Sequence, residues 1–570
     1  MLNYYYQYVK LDLIEKSRTI STGTSFAGGV AAGAIAIAIA VIIRSFAGAI
    51  FVPELASQTL FSLTPGQFES QAVENFGPLA KYSAFFGAII VNFILYGLFA
   101  LLITRIQNKF PWKGYVGRAI LSLLVAYTIL LIIAISLVTI TEVRTHTQAT
   151  STTRVVISLI LPQIAFGFIL SSFYANVRLS SHLKKPVLDK KPETTSEIDY
   201  SKRVSRRVFL RAAIATIIAL PILYLGLNRL FLQHEVQVPR PSSSPLLLPE
   251  QSITRPPGFA DPRLTPLLDS EVTPTYLFYR IDINPIVPQV DSTSWTLTVK
   301  GRINNPFTMT YEQIKAMPSV EEYATLQCVS NKIGGDLIST ALWKGVRLKD
   351  LLSMAQVRPG AKYIAFRCYD GYDVGIPLER GLLEGTILAY DMNLAPLTAE
   401  HGYPVRAIVP GLYGMMNPKW ITEIEVVDDV YEGYWQRNGW TNDAREATHS
   451  FIAIPGQAPI RDRFRNLDLM NINIVPGQKL PIAGVAFAGD RGISKVEVST
   501  DGGATWKSAS IKDPLSKYTW VLWTTGFIPP AVSGNYKIVV RATDKTGKVQ
   551  TAEIIPPFPD GNTGYHMINV

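Results

Sequence analysis

Cysteine is nearly absent. The 570 residues hold two, Cys328 and Cys368, and there is no Cys-x-x-Cys pair, no Cys-x-x-Cys-His and no His-Pro-Gly-Gly stretch. That argues against an iron–sulfur cluster, a haem module of cytochrome type and a zinc site built from clustered Cys and His. Histidine is scarce as well. None of the six, His146, His182, His234, His401, His449 and His566, falls inside a long apolar run. A haem ligated within a membrane by paired histidines is therefore not expected. Asp and Glu are missing from the same runs, which disfavours a proton- or ion-translocating bundle. Charged residues are only 17% of the chain, against 48% hydrophobic, a balance that leans toward a membrane protein.

What is present divides sharply near residue 235. Before it lie five apolar runs, at 26–43, 82–103, 119–140, 155–174 and 208–227. A spanning helix needs about 20 mainly apolar residues. The fifth run is the shortest in effect, because Arg211 interrupts its start. The loops set an orientation. Arg105, Lys109, Lys113 and Arg118 lie between the second and third runs, and ten Lys or Arg residues run from Arg178 to Arg211, both included. Residues 51–80 have neither Lys nor Arg. Basic loops stay in the cytoplasm, so the N-terminus is expected inside and everything after about residue 232 outside, on the periplasmic side. The net charge of +10 is then largely a topology signal, and no nucleic-acid partner is expected.

"SRRVFL", residues 205–210, precedes the fifth run. It resembles the twin-arginine export signal. No small-x-small cleavage site follows, so the helix is expected to remain as an anchor. Multi-pass residues 1–235 are followed by a Pro-rich linker, 236–274.

The remainder reads as soluble. "SWTLTVKG" at 294–301 alternates like a strand. Thr310 and Gln313 are placed as N-cap and capping-box partner of a short helix closed by Pro318. Residues 275–450 read as α+β. From about Gly477 short alternating strands are separated by Asp-Gly, Gly-Asn and Thr-Gly turns, as in a small β-sandwich; this second soluble domain is placed at 451–570.

Cys328 opens a loop of Ser330, Asn331, Lys332, Gly334, Gly335 and Asp336, whereas Cys368 ends an apolar strand. A disulfide between them, a buried thiol and a protease-type nucleophile are all open readings. So is a single metal–thiolate bond in which a cofactor supplies the other ligands. An anionic cofactor would need cationic partners, and Arg280, His401, Arg406 and Lys419 are candidates.

Three stretches carry a resemblance. "TLQCVSNKIGGDLIS" followed by "WKGVRL" is similar to the molybdenum-ligand loop of the sulfite oxidase family. "HGYPVRAIVPGLYGMMNPKWITEIEV", 401–426, resembles its pterin-binding segment. "GVAFAGDRGISKVEVSTDGGATW", 484–506, resembles its immunoglobulin-like dimerisation domain. Together they cover about 276–570 and leave the apolar runs unaccounted for.

The resemblance implies a molybdenum–molybdopterin cofactor with Cys328 as the protein's thiolate ligand to the metal. It implies Tyr279 and Arg280 at the pterin or the metal mouth, and Asp373, with Asp370 as close runner-up, on the pterin's amide edge. His401 and Arg406 match the family's His-Gly-x-Pro-x-Arg motif. Asn417, the Pro418 backbone and Lys419 match its phosphate-end contacts. Vertebrate-type members carry a tyrosine in a W-Q-R-R-D-Y stretch. Here "WQRNGW" puts Trp440 in that place, as a catalytic candidate beside Cys328 and Arg280, and Asn438 at an arginine position. Fewer cations would then face an anionic substrate. The expected protein is a membrane-anchored, homodimeric oxygen-atom-transfer enzyme with a small oxo substrate. Nothing in the sequence stores electrons, so a separate electron-transfer protein is expected to dock. The competing expectation is a non-catalytic dimeric binding module on a membrane anchor.

Overall fold

The computed structural model describes residues 20–76, 79–109, 114–145, 152–182, 227, 256–455, 475–530 and 536–570. Apart from Leu227, the fifth apolar run lies outside these residues, as does the twin-arginine-like stretch. The chain forms two compact units.

The first unit is helical. Its long helices are α1 (Thr22–Ala47), α4 (Leu79–Lys109), α5 (Gly114–Thr145) and α6 (Thr152–His182); between α1 and α4 in sequence lie α2 (Val52–Leu63) and α3 (Gly66–Phe76), of which α3 belongs to the second unit. Among the described residues, four helices are apolar and long enough to cross a membrane, the shortest span being Thr152–Ala175 with 24 residues. That is about 36 Å at 1.5 Å per residue, against a hydrocarbon layer of ~30 Å.

Small residues set the packing of this unit. A Cβ on Gly29 would stand 2.4 Å from the Tyr96 carbonyl oxygen and 2.5 Å from the Ala100 Cβ. Glycine there lets α1 and α4 approach backbone to backbone, as membrane helices do. Ser25 Oγ lies 2.7 Å from Thr104 Oγ1 and 2.8 Å from the Tyr174 hydroxyl, joining α1, α4 and α6 through a buried polar knot. Outward faces carry large apolar side chains, including Ile90, Val91, Leu98, Ile132 and Leu161. A surface this apolar suits lipid rather than water.

The second unit contains residues 61–80 and the chain from 236 onward. Its first ten strands are β1 (Thr296–Gly301), β2 (Phe307–Thr310), β3 (Val320–Gln327), β4 (Ile338–Arg347), β5 (Tyr363–Cys368), β6 (Asp373–Pro377), β7 (Ile387–Met392), β8 (Ala395–Pro396), β9 (Arg406–Ile408) and β10 (Ile421–Val427). One sheet runs β2-β1-β10-β5-β6, with β1 and β10 parallel and every other pair antiparallel. The other runs β3-β4-β7-β8, with β9 added to β7. Leu297, Phe366, Ile424 and Ile376 from the first sheet share a core with Val346 and Leu388 from the second. The capping box is present: Thr310 Oγ1 accepts from the Gln313 N–H, and the Gln313 side chain accepts from the Thr310 N–H.

Eight further strands follow, β11 (His449–Ile454), β12 (Leu480–Phe487), β13 (Ile493–Ser499), β14 (Lys507–Ser508), β15 (Ser510–Ile511), β16 (Val521–Phe527), β17 (Lys537–Asp544) and β18 (His566–Asn569). They make two four-stranded sheets, β11-β12-β16-β15 and β14-β13-β17-β18. Ile452, Ile482 and Trp523 of one meet Val496, Ile538 and Val540 of the other in a common core.

The linker expected over 236–274 does not extend through its last part. Phe259, Leu264 and Leu267 are buried with Phe451, Val485 and Trp520. Thr273 N–H donates to the Thr340 carbonyl at 2.8 Å, and Trp520 Nε1 donates to the Glu271 carbonyl at 3.0 Å. Prolines here start single turns at Pro262–Leu264 and Thr265–Asp269. Turns that short show no periodicity, which is why composition alone reads as linker.

Candidate active site

Three connections converge on one cleft. The β3–β4 connection begins with Cys328. The β5–β6 turn carries Asp370. The segment between β9 and β10 carries Asn417, Pro418 and Lys419. All of these line the cleft, as do Tyr279, His401, Arg406 and Trp440.

Cys328 is buried, and its Sγ lies 3.1 Å from Ser330 Oγ. Its N–H donates to the Leu337 carbonyl at 2.8 Å, and its carbonyl accepts from Asn331 N–H at 3.0 Å. Asn331 Oδ1 in turn accepts from Leu337 N–H at 3.0 Å. The polar loop after Cys328 thus closes on itself and holds the thiol at a fixed place in the cleft. Cys368 is also a free, buried thiol, but it does not line the cleft. Burial, with Asp370 and Asp373 nearby, pushes its pKa far up, so it stays an inert thiol.

A cationic cluster lies along the same cleft. Arg406 is fully buried, with its guanidinium 4.9 Å over the Trp343 ring. Its two terminal nitrogens reach the His401 and Asn417 carbonyls at 3.3 Å each, while Nε has no hydrogen-bond partner among the described residues. Lys419 pairs with Asp282 and donates to the Glu400 carbonyl at 3.0 Å. Arg280 reaches Asp282 at 2.9 Å and Glu400 at 2.6 Å. Two cations, Arg280 and Lys419, therefore share the carboxylates of Asp282 and Glu400, while Arg406 has no carboxylate partner among the described residues. Burial pushes Arg406 down to about 10, and burial also lowers Lys419. Burial, then the charges of Lys419 and Arg406, push His401 down to about 3. His401 Nε2–H donates to the Thr275 carbonyl at 2.9 Å. Its native form is neutral, so the stability this histidine contributes is complete above pH 6.5 and is lost as pH falls toward about 3. A desolvated cluster with surplus positive charge and an orphaned buried donor fits an anionic, phosphate-bearing group.

Not every expected residue reaches the cleft. Arg280 is absent from the lining and pairs with Asp282 and Glu400. Asn417 lines the cleft, but its side chain is spent internally. Oδ1 accepts from the Val409 N–H at 2.6 Å, and Nδ2 donates to the Leu412 and Tyr413 carbonyls at 3.2 and 3.1 Å. Asp373 is absent from the lining. It is 2% exposed and gripped by Arg437 at 2.6 and 2.9 Å, with the Tyr431 hydroxyl at 2.7 Å. Asp370, two residues past the end of β5, is the carboxyl that faces the cleft. Burial, reinforced by Asp282, pushes it up to about 7. It can therefore donate or accept a hydrogen bond near neutral pH. Asp373→Asn is expected to lower stability by roughly 3 kcal/mol, because it leaves the Arg437 guanidinium without its counter-charge. Asp370→Asn is expected to leave the denaturation midpoint at neutral pH unchanged or raised, because burial already penalises the ionised carboxyl. Equilibrium unfolding of both variants separates the structural carboxylate from the cleft-facing one.

The sequence reading missed Asp282, Tyr372 and Trp435, all in the lining, and also Glu69 and Ser70 of α3. The tryptophan, Trp435, opens the quoted "WQRNGW" and was within reach there. For Glu69 and Ser70 the only signal is that residues 51–80 lack Lys and Arg, which says nothing of what they cover.

A buried cysteine in one cleft with the desolvated cations Arg406 and Lys419, on a two-sheet α+β frame followed by a two-sheet β domain, fits an oxidoreductase site for an anionic metal cofactor. Residues 284–435 match the family described as the oxidoreductase molybdopterin binding domain, and residues 466–560 match the Mo-co oxidoreductase dimerisation domain. The chain is 35% identical over 150 residues to the "Uncharacterized oxidoreductase YuiH" of Bacillus subtilis, covering 26% of this chain and 74% of that protein. It is 28% identical over 348 residues to the sulfite oxidase of Arabidopsis thaliana, covering 52% of this chain and 86% of that one. Of the mitochondrial sulfite oxidase of Rattus norvegicus, also 28% identical, the chain spans 60% of the length and 52% of its own. Among solved structures, the sulfane dehydrogenase SoxCD of Paracoccus pantotrophus is similar over 52% of this chain and 81% of that chain, with 23% identity and a TM-score of 0.45. The chain belongs to the sulfite oxidase family of molybdopterin-dependent oxidoreductases.

Proposed function

We propose that the protein is a membrane-anchored oxidoreductase that transfers an oxygen atom to or from a small substrate outside the cytoplasm. In the reducing direction the reaction is XO + 2H⁺ + 2e⁻ → X + H₂O, and the oxidising direction is its reverse. The observation that carries this reading is Cys328 Sγ in the same cleft as the surplus cations of Arg406 and Lys419.

The molybdenum–molybdopterin cofactor, when bound, supplies the two-electron chemistry and the oxygen that is exchanged. Cys328 supplies the protein's thiolate, and soft sulfur spreads the change in metal charge. Arg406 and Lys419 hold the phosphate end, and Asp370 takes the polar edge of the pterin. Asn417 and Pro418 shape the loop that presents Lys419, and Arg280 keeps Asp282 aligned for it. Tyr279 and Trp440 bound the cleft where substrate enters.

Location is argued from topology. Residues 61–76 belong to the catalytic unit although they lie between two apolar helices in sequence. That loop carries no Lys or Arg, so the positive-inside rule puts it, and the unit containing it, outside the cytoplasm. The β-sandwich serves as an immunoglobulin-like contact between two copies of the chain. Electrons pass to or from a separate redox protein, for which the helical unit offers a membrane-level docking platform. The decisive test is metal analysis after expression in a host that makes the cofactor. The expected result is roughly one molybdenum per chain, lost in Arg406 and Lys419 variants; protein without molybdenum from such a host removes the enzyme reading.

A further inference from the structure

The loop that carries Cys328 is gripped from the far end of the chain. The bonds among Cys328, Asn331 and Leu337 close that loop on itself. They do not tie it to the rest of the molecule. Asn562 does: its Nδ2 donates to the Asn331 carbonyl at 2.6 Å. Asn562 is 3% exposed, and its Oδ1 has no hydrogen-bond partner among the described residues. The buried amide is thus committed to the cysteine loop. The matched dimerisation domain ends at residue 560, so Asn562 lies beyond both matched family domains.

The segment that delivers this amide is itself anchored. Gln550 Nε2 donates to the Gly564 carbonyl at 2.7 Å. Gln550 Oε1 accepts from the Ala542 N–H of β17 at 3.1 Å and from the Ser450 hydroxyl of β11 at 2.6 Å. Segment and loop also interlock. A Cβ on Gly564 would stand 2.7 Å from Ile333 Cδ1, and one on Gly334 would stand 2.4 Å from His566 Nε2. His566 is fixed in turn, with Nδ1 accepting from the Ile452 N–H at 2.9 Å. The segment reaches a second cleft residue as well. The Phe558 ring meets Trp440 edge-on, 5.2 Å between centroids, and Thr441 N–H donates to the Pro559 carbonyl at 3.2 Å. The same turn also takes α3, whose Gly66 N–H donates to the Asn438 carbonyl at 3.1 Å. Removing the Asn562 donor would leave the Asn331 carbonyl buried and unpaired, a strain that the loop relieves by moving.

We propose that Asn562 is a positioning residue for Cys328: from a segment rooted in the two-sheet β domain, it fixes the loop in the orientation in which the thiol meets the cofactor. The inference rests on the reading of Cys328 as the metal's ligand, but its first test needs no cofactor. Full-length protein is made in hosts with and without the cofactor. In the cofactor-free protein, alkylation by iodoacetamide is timed at each cysteine by peptide mass spectrometry. Cys368 is the internal reference. Asn562→Leu and Asn562→Ala both remove the donor, one keeping the volume and one not. Ile482→Val, in the core of the two-sheet β domain, controls for general loosening.

The expected result is Cys328 alkylation faster by about ten-fold in both Asn562 variants, the equivalent of one hydrogen bond. The Cys368 rate stays unchanged throughout, and Ile482→Val behaves like the wild type. In the molybdenum-loaded protein the sulfur-to-metal charge-transfer absorption shifts in both Asn562 variants and not in Ile482→Val. An unchanged Cys328 rate overturns the proposal, as does an equal acceleration at both cysteines. A faster Cys328 with an unmoved absorption band shows that the cofactor alone orients the thiol, and overturns it too. Failure of both Asn562 variants to fold makes the residue one of stability and has the same consequence. Absence of molybdenum from the wild-type protein counts instead against the enzyme reading, and the alkylation rates then decide on their own whether Asn562 holds the loop.

Discussion

Cys328→Ser is expected to fold normally and to lose turnover by at least about 100-fold, since even residues that only support metal ligands cost 10–100-fold when changed. The loop around the thiol is held by backbone bonds to Leu337 and Asn331, and serine preserves all of them. A hydroxyl is a harder donor than a thiolate and shifts the redox balance of a bound metal. Dye-linked turnover per bound molybdenum checks this, with thermal unfolding as the control. Cys368→Ser should behave like the wild type, because that thiol lies away from the cleft and is held protonated by burial. Full activity in Cys328→Ser would reassign the ligand.

Arg406→Met is expected to separate cofactor retention from protein stability. The side chain is buried, its Nε lacks a partner among the described residues, and its two carbonyl contacts are long at 3.3 Å. Replacing such a charge by an apolar chain of similar length is neutral or mildly stabilising, and methionine keeps the packing against Trp343. The cofactor-free protein should therefore unfold within about 1 kcal/mol of wild type. Its bound-molybdenum fraction under limiting cofactor should fall about ten-fold or more, the worth of one charge-assisted hydrogen bond. A large loss of stability with the metal retained would make Arg406 a structural residue only.

Much of the site was legible because its chemistry is concentrated in short runs. The cysteine loop and the 401–426 segment each keep their residues within a few positions of one another, and folding brings the two runs together. Asp373, expected at the pterin's edge, does not line the cleft, for a related reason. Asp370 and Asp373 are three residues apart across a turn, and which faces the cleft depends on Arg437, far along the chain. The linker was overextended because single-turn helices leave no period to read. Glu69 and Ser70 were out of reach altogether: nothing local to α3 says that it rests on residue 438.

That last contact makes the enzyme a product of two distant stretches of its own chain. Residues 61–76 are synthesised with the first apolar helices, long before the domain they complete exists. A soluble fragment starting after the helices would keep the cysteine loop and the cationic cluster but lack one side of its entrance. The entrance of the cleft is thus completed by a stretch of chain that precedes three of the long apolar helices in sequence.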